Sequence, residues 1–278
     1  MATYDPKFPR THYDNLVDDE WTRLTRTRHG ELSFLVHMDV LRTYIKESMS
    51  VLEIGAGAGI FTKELVHMCN RLVVGDISKA QLDANRANMG DLGVLNCVGE
   101  YRELDLADLS SLHPVSFDAI VCVGGPLNYL MEKESVGIQQ MLRTLKSGGV
   151  VILGVMSLIN SVVRLMRFLP ALKRNRGMAN TRWLLETGLQ DQEHSPDTEH
   201  FCHMMTSIDA DALLDLDSVE IVEKRAAGLL GMAGEEELNA VKADQDLWNL
   251  VVERELAWSK LPGAIDLGDN ILYVVRKR

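Results

Sequence analysis

The sequence predicts an α/β protein built on a doubly wound, mostly parallel sheet. Short apolar runs alternate with stretches whose apolar residues recur at helical spacing. The first run, VLEI at 51–54, closes on three glycines at alternate positions, Gly55, Gly57 and Gly59. The second, LVVG, ends on an acid, Asp76. In sheets of this kind ligands collect outside the carboxyl ends of the strands.

Taken in order, residues 15–46 carry Leu32, Leu35, Val36, Val40 and Leu41 at helical spacing and predict N-terminal helices. VLEIG then reads as a strand, followed by a helix with Phe61, Leu65 and Met68 on one face. LVVGD precedes Ser78, a good N-cap for a helix through Asn88. A further strand ends near Asp105, and FDAIVCVGG reads as the fourth. A helix around Met141–Leu145 stops at Ser147-Gly148-Gly149, and GVVILGV follows as a buried strand. Residues 156–206 break the alternation, from an amphipathic stretch (Val162, Leu165, Met166, Leu169) to HFCHMMT. VEIVEKRA and NILYVVRKR predict two closing strands, separated by a helix containing Trp248 and Trp258.

Composition excludes several functions. Forty acids against 29 bases give a net charge of −11, which argues against a surface that wraps nucleic acid. The apolar run from Gly149 to Val163 is broken by Gly154, Ser157, Asn160 and Ser161, so no membrane span is expected. MATYDPKFPR has no apolar core and does not read as a signal peptide. Cys69, Cys97, Cys122 and Cys202 form no CxxC pair and are expected to be reduced, mostly buried thiols of a cytoplasmic protein.

The glycines discriminate among ligands. No glycine is followed by Lys-Ser or Lys-Thr, as a P-loop requires, and a GxGxxG dinucleotide fingerprint would need glycine at 60, where Ile60 stands. The spacing is ExGxGxG, with Glu53 two residues ahead of Gly55. This resembles the first motif of class I S-adenosylmethionine-dependent methyltransferases. DLADLSSLHPVSFDAIVCVGGPLNYL resembles the family's third and fourth motifs, and LKSGGVVIL the turn and strand that follow. The likeness is strong over about residues 50–155 and weaker in the last strands.

The resemblance implies a Rossmann-like methyltransferase fold with seven strands, an N-terminal helical cap at 1–50, a cofactor-binding core at 51–155 and a lid insertion at 156–206. Residues 207–278 would complete the same sheet, making one domain overall. It also implies S-adenosylmethionine as cofactor and S-adenosylhomocysteine as product, with the methyl passed by in-line displacement and no metal. Glu53, Gly55, Ala56, Gly57 and Gly59 would surround the methionine part. Asp76, seventeen residues past Gly59, would accept from the ribose hydroxyls and Ile77 would pack on the adenine. Asp105 and the Leu106 N–H would read the adenine edge, with Val123 and Gly124 beside the cofactor. Glu100, in GEYREL, is a rival to Asp105; the spacing of Asp105 to Phe117-Asp118 is the tighter fit.

The acceptor is less legible. GGPLNYL is not the [DN]PP[YF] of enzymes that methylate DNA adenines or glutamine amides, so a small molecule is favoured. A protein or RNA substrate, or cofactor binding without transfer, remains the alternative, and a homodimer stays open. His203 and Tyr129 are the candidates for handling a proton, although a histidine at a strand edge is more often simply hydrogen-bonded. Residues 156–185 hold Arg164, Arg167 and four further bases and no acid, which fits either a solvated face or a reader of an anionic acceptor. His37, in the cap, is carried with the two arginines as an acceptor contact.

Overall fold

The computed structural model describes residues 3–278, without the side chains of Asp18 and Asp19. The chain opens with α1 (Lys7–Asp14), α2 (Val17–Thr22) and α3 (Arg28–Tyr44). It continues through β1 (Ser50–Ile54), α4 (Thr62–Leu65), β2 (Arg71–Asp76), α5 (Lys79–Asp91), β3 (Glu100–Glu103), β4 (Phe117–Cys122), α6 (Glu134–Thr144) and β5 (Leu145–Met156). Next come α7 (Leu158–Leu165), α8 (Leu169–Thr187), β6 (Leu189–Gln190) and β7 (Cys202–His203). The chain closes with α9 (Ser207–Leu214), β8 (Val219–Ala227), α10 (Glu235–Lys242), α11 (Gln245–Trp258) and β9 (Asn270–Lys277).

Seven strands form one sheet in the order β3-β2-β1-β4-β5-β9-β8, parallel except at β9, which runs antiparallel to both neighbours. The strand period of two sends Leu52 and Ile54 to one face and Val51 to the other, so the sheet carries an apolar core on each side. Because β1 and β4 leave in opposite directions to their neighbours, the order reverses there and opens a crevice at their carboxyl ends.

Two helical expectations change. The helix after β1 is a single turn, Thr62–Leu65; Phe61 has no capping side chain, and the chain must return within five residues to begin β2 at Arg71. The cap has an extra helix, α1, ahead of the predicted ones. It is clamped over β2 and β3 by Arg10 Nε donating to Ile77 O (3.1 Å), Arg10 paired with Glu103 (3.0 Å) and Gln81 Nε2 donating to Tyr13 O (2.8 Å). The fifth strand also starts earlier than expected, at Leu145. Gly148 (φ +76°) carries it through a register shift against β4 between Phe117 and Ala119. Of the cysteines, Cys122 and Cys202 are buried, Cys69 is half-buried and Cys97 is exposed, so the thiols are less uniformly interior than expected. No helix among the described residues is long and apolar enough to cross a membrane.

Candidate active site

The crevice is a cleft of about 660 Å³, lined by the glycine loop, the ends of β1, β2 and β4, and α1 and α2 of the cap. Gly55, Gly57, Asp76, Ile77, Asp105, Leu106, Val123 and Gly124 line it. Glu53, Ala56 and Gly59 do not. Glu53 sits behind the loop, where its Oε2 accepts the Thr62 hydroxyl at 2.6 Å and burial pushes its carboxyl up to about 8. Gly59 (φ +101°) faces the Asn85 side chain, which a Cβ would approach to 3.0 Å. Ala56 is buried and donates its N–H to Gly75 O (3.1 Å). These three residues set the shape of the loop from behind.

Two glycines are needed for different reasons. At Gly55 (φ +73°) a Cβ would lie 2.2 Å from Pro126 Cγ, so the residue makes room for the loop after β4. At Gly57 (φ +53°) the nearest atom to a Cβ is Gln81 Oε1 at 3.7 Å, so a side chain there would project into open space. Asp76 closes the arrangement. Its Oδ2 accepts the Gly57 N–H and its Oδ1 the Ser78 N–H, each at 2.8 Å. Burial nevertheless outweighs these bonds and raises its carboxyl to about 6. At the far end Asp105 Oδ1 accepts from Tyr4 (2.7 Å) and from the Ala107 N–H (2.8 Å). The rival Glu100 is paired with Arg102 (2.6 Å) and Arg71 (3.7 Å) and does not line the cleft.

Beyond Gly124 a second chamber of about 710 Å³ adjoins the cleft, with Tyr13, Glu20, Arg23, Gly124 and Tyr129 common to both. Its remaining wall comes from α1 (His12), β5 and α7 (Met156, Asn160, Ser161, Arg164) and the start of β9 (Asp269, Asn270). Arg23 Nε is bonded to Glu20 Oε2 at 3.0 Å, at the junction of the two spaces. Burial works against the charge of Asp269, yet the His29 hydrogen bond (3.0 Å) and charge hold its carboxyl below the usual range.

A chain of hydroxyls roofs the junction. The Tyr13 and Tyr129 hydroxyls are 2.7 Å apart, and Tyr129 Oη is 2.8 Å from His200 Nε2. Burial pushes the Tyr129 hydroxyl well above its ordinary value and lowers His200 to about 4, so both are neutral near pH 7. Phe8 packs edge-on against Phe201 (4.8 Å) and His12 lies 4.4 Å from the His200 ring, so the cap meets the 156–206 segment above the site.

The other expected residues fall elsewhere. His203 Nδ1 bonds Glu134 at 2.6 Å, and the residue lines neither space. Its ring is raised: burial opposes the charge, but the Glu134 bond and charge prevail. Arg167 stacks on Phe168 (4.7 Å) away from the chamber, whereas Arg164 lines it. His37 is buried against Phe61, with Nδ1 bonded to Ser33 O (2.8 Å) and Nε2 unpartnered among the described residues. It lines neither space. Sequence reasoning missed Glu20, Arg23 and Asn270 as site residues and ranked His200 below His203. The one local signal was the Asp269-Asn270 pair immediately ahead of the last strand.

Residues 51–149 match the family model described as a methyltransferase domain. By this match the stretch has the pattern of a methyltransferase domain. No curated protein matches the sequence. Among solved structures, the chain resembles the N-methyltransferase NodS from Bradyrhizobium japonicum WM9 in complex with S-adenosyl-L-homocysteine. The two are 18% identical over 98% of this chain and 99% of that one, with a TM-score of 0.57. It also resembles Haemonchus contortus phosphoethanolamine N-methyltransferase 1, solved with phosphoethanolamine and S-adenosylhomocysteine (13% identity, 98% of this chain and 48% of that one, TM-score 0.58). The [4+2]-cyclase SpnF shares the fold too (17%, 88% and 81%, TM-score 0.53). At these identities the likeness is one of fold.

Proposed function

We propose that the protein transfers the methyl group of S-adenosylmethionine to a small-molecule acceptor held in the chamber beside the cofactor cleft. The observation that carries this reading is the adjacency of the two spaces across Gly124 and Tyr129.

The residues present fit the cofactor. Gly57 leaves open the space that a Cβ would take, and Asp76 offers a buried carboxylate to the ribose hydroxyls. The Glu20–Arg23 ion pair stands between the cleft and the neighbouring chamber. Asp105 and Leu106, at the far end of the cleft, would hold the adenine edge, and Ile77 would pack on its ring. Bound there, the cofactor supplies an electrophilic methyl group on a sulfonium. The protein's own contribution is to hold the acceptor in line with it, an effect worth up to about 7–11 kcal/mol in oriented reactions. Tyr129, too weak an acid to ionise, sits between the Tyr13 hydroxyl and neutral His200 and orients the acceptor's reacting group at the junction by hydrogen bonding. Arg164 faces the acceptor from α7. His203, bound to Glu134, supports the 200–206 segment instead.

Residues 156–206 act in this reading as a lid that meets the cap and excludes water. The proposal includes a cytoplasmic setting. Incubation with methyl-labelled cofactor and a metabolite extract tests it: label should enter a low-mass product, with S-adenosylhomocysteine in equal amount. Label found only in protein or RNA, or none transferred, would overturn the small-molecule assignment.

A further inference from the structure

Two side chains in the chamber, Asn270 through its Oδ1 and Arg164 through its charge, have no partner among the described residues, and they stand on elements the cofactor does not need. Asn270 opens β9, and the antiparallel pairing with β5 sets it opposite Met156, at the carboxyl end of β5. Asn270 is only 7% exposed, and its Oδ1 accepts no hydrogen bond from any described residue. A buried acceptor left unpaired is destabilising, so a donor from outside the chain would recover that loss.

Arg164 is the second. It lines the same chamber from α7, and no carboxylate lies within ion-pair distance of it among the described residues. The neighbouring charges are matched: Arg23 by Glu20 at 3.0 Å and Asp269 by His29 at 3.0 Å. The chamber therefore presents one unmatched cation and one unmatched acceptor. A guanidinium suits a carboxylate or phosphate through its fork of donors. An amide oxygen suits O–H or N–H.

We infer that the chamber takes an anionic small molecule that also carries a hydroxyl or amine donor, the anion held by Arg164 and the donor by Asn270. A bare anion satisfies only one wall, and a neutral alcohol or amine only the other. This rests on the chamber being the acceptor site.

The test uses the full-length protein saturated with S-adenosylhomocysteine and calorimetry with matched probes. 3-Hydroxybenzoate and 3-aminobenzoate carry both groups, benzoate only the anion, and phenol and aniline only the donor. 3-Aminopropyl phosphate and inorganic phosphate form the second arm and decide between carboxylate and phosphate. In at least one arm the two-group probe should bind about tenfold or more tightly than its single-group analogues, the worth of a hydrogen bond to a charged or buried group. Arg164→Gln should abolish the advantage over phenol or aniline, and Asn270→Leu the advantage over benzoate. Both variants should keep the wild-type affinity for S-adenosylhomocysteine. Asn270→Ala, which adds no bulk, is the second variant should Leu disturb β9. Benzoate or phosphate binding as tightly as the two-group probes, a preference that survives either substitution, or no binding by any probe would each overturn the inference. Failure of S-adenosylhomocysteine to bind would instead overturn the underlying functional reading.

Discussion

Asp76 and Gly57 are joined by a 2.8 Å hydrogen bond, from the Gly57 N–H to Oδ2, that ties the end of β2 to the glycine loop of β1. The same carboxyl is buried and titrates near 6, so its ionisation controls the cleft. Ribose hydroxyls prefer the ionised form as acceptor. As pH falls below about 6 the empty protein binds a proton that the ligand must displace. Affinity for S-adenosylhomocysteine should therefore be flat above pH 7 and fall by up to about tenfold per unit well below 6. In Asp76→Asn the affinity should be lower and the slope gone. Calorimetry from pH 4.5 to 8 reads both, and a wild-type profile flat throughout would refute the role.

Gly57→Val should remove cofactor binding with a modest loss of stability, about 1–3 kcal/mol for a β-branched residue at φ +53°. Gly55→Ala should act differently. Its Cβ would meet Pro126 Cγ at 2.2 Å, so the melting temperature should drop further. Melting curves with and without S-adenosylhomocysteine separate the two cases. A Gly57→Val protein with normal affinity would make the loop only a turn.

How much of this was legible in sequence follows from distance along the chain. Gly55–Gly59 and Asp76 were readable because one strand–turn–helix unit fixes their spacing, and the sheet followed from the same alternation. The roof was not. Tyr13 reaches Tyr129 across 116 positions and Tyr4 reaches Asp105 across 101, contacts that arise only when the N-terminal segment and α1 pack against α5 and the strand ends. Asn270 enters the site because β9 runs antiparallel, which brings the start of that strand to the carboxyl ends of the others. The helix length after β1 was overestimated because Phe61, Leu65 and Met68 fit helical spacing while the connection has room for one turn.

Tyr129→Phe keeps the edge-on packing with Tyr13 but removes the hydroxyl between Tyr13 and His200. With the labelled acceptor in hand, kcat should fall about tenfold or more while cofactor affinity holds. His203→Gln should leave kcat within about twofold and lower stability by about 1–3 kcal/mol, because it breaks the bond to Glu134. A His203→Gln enzyme that folds and does not turn over would transfer the role to His203.

Glu53 gives a stability test independent of activity. Burial raises its folded pKa to about 8, from an ordinary 4.5. The folded state thus holds a proton that the unfolded chain has released. Stability should decline from about pH 4.5 to 8 and level off above, by on the order of a few kcal/mol. Glu53→Gln keeps an acceptor for Thr62 and should flatten that decline. Urea denaturation at pH 6 and pH 9 measures it, and equal pH dependence in both proteins would show that Glu53 is already ionised.

The account turns on the cleft between Gly57 and Asp76 being the cofactor's seat, and one titration addresses it most directly. Wild-type protein should bind S-adenosylmethionine or S-adenosylhomocysteine and not NADH, and Asp76→Ala should weaken that binding by about 1–3 kcal/mol without unfolding the protein. Tight NADH binding, or an Asp76→Ala protein of unchanged affinity, would contradict it.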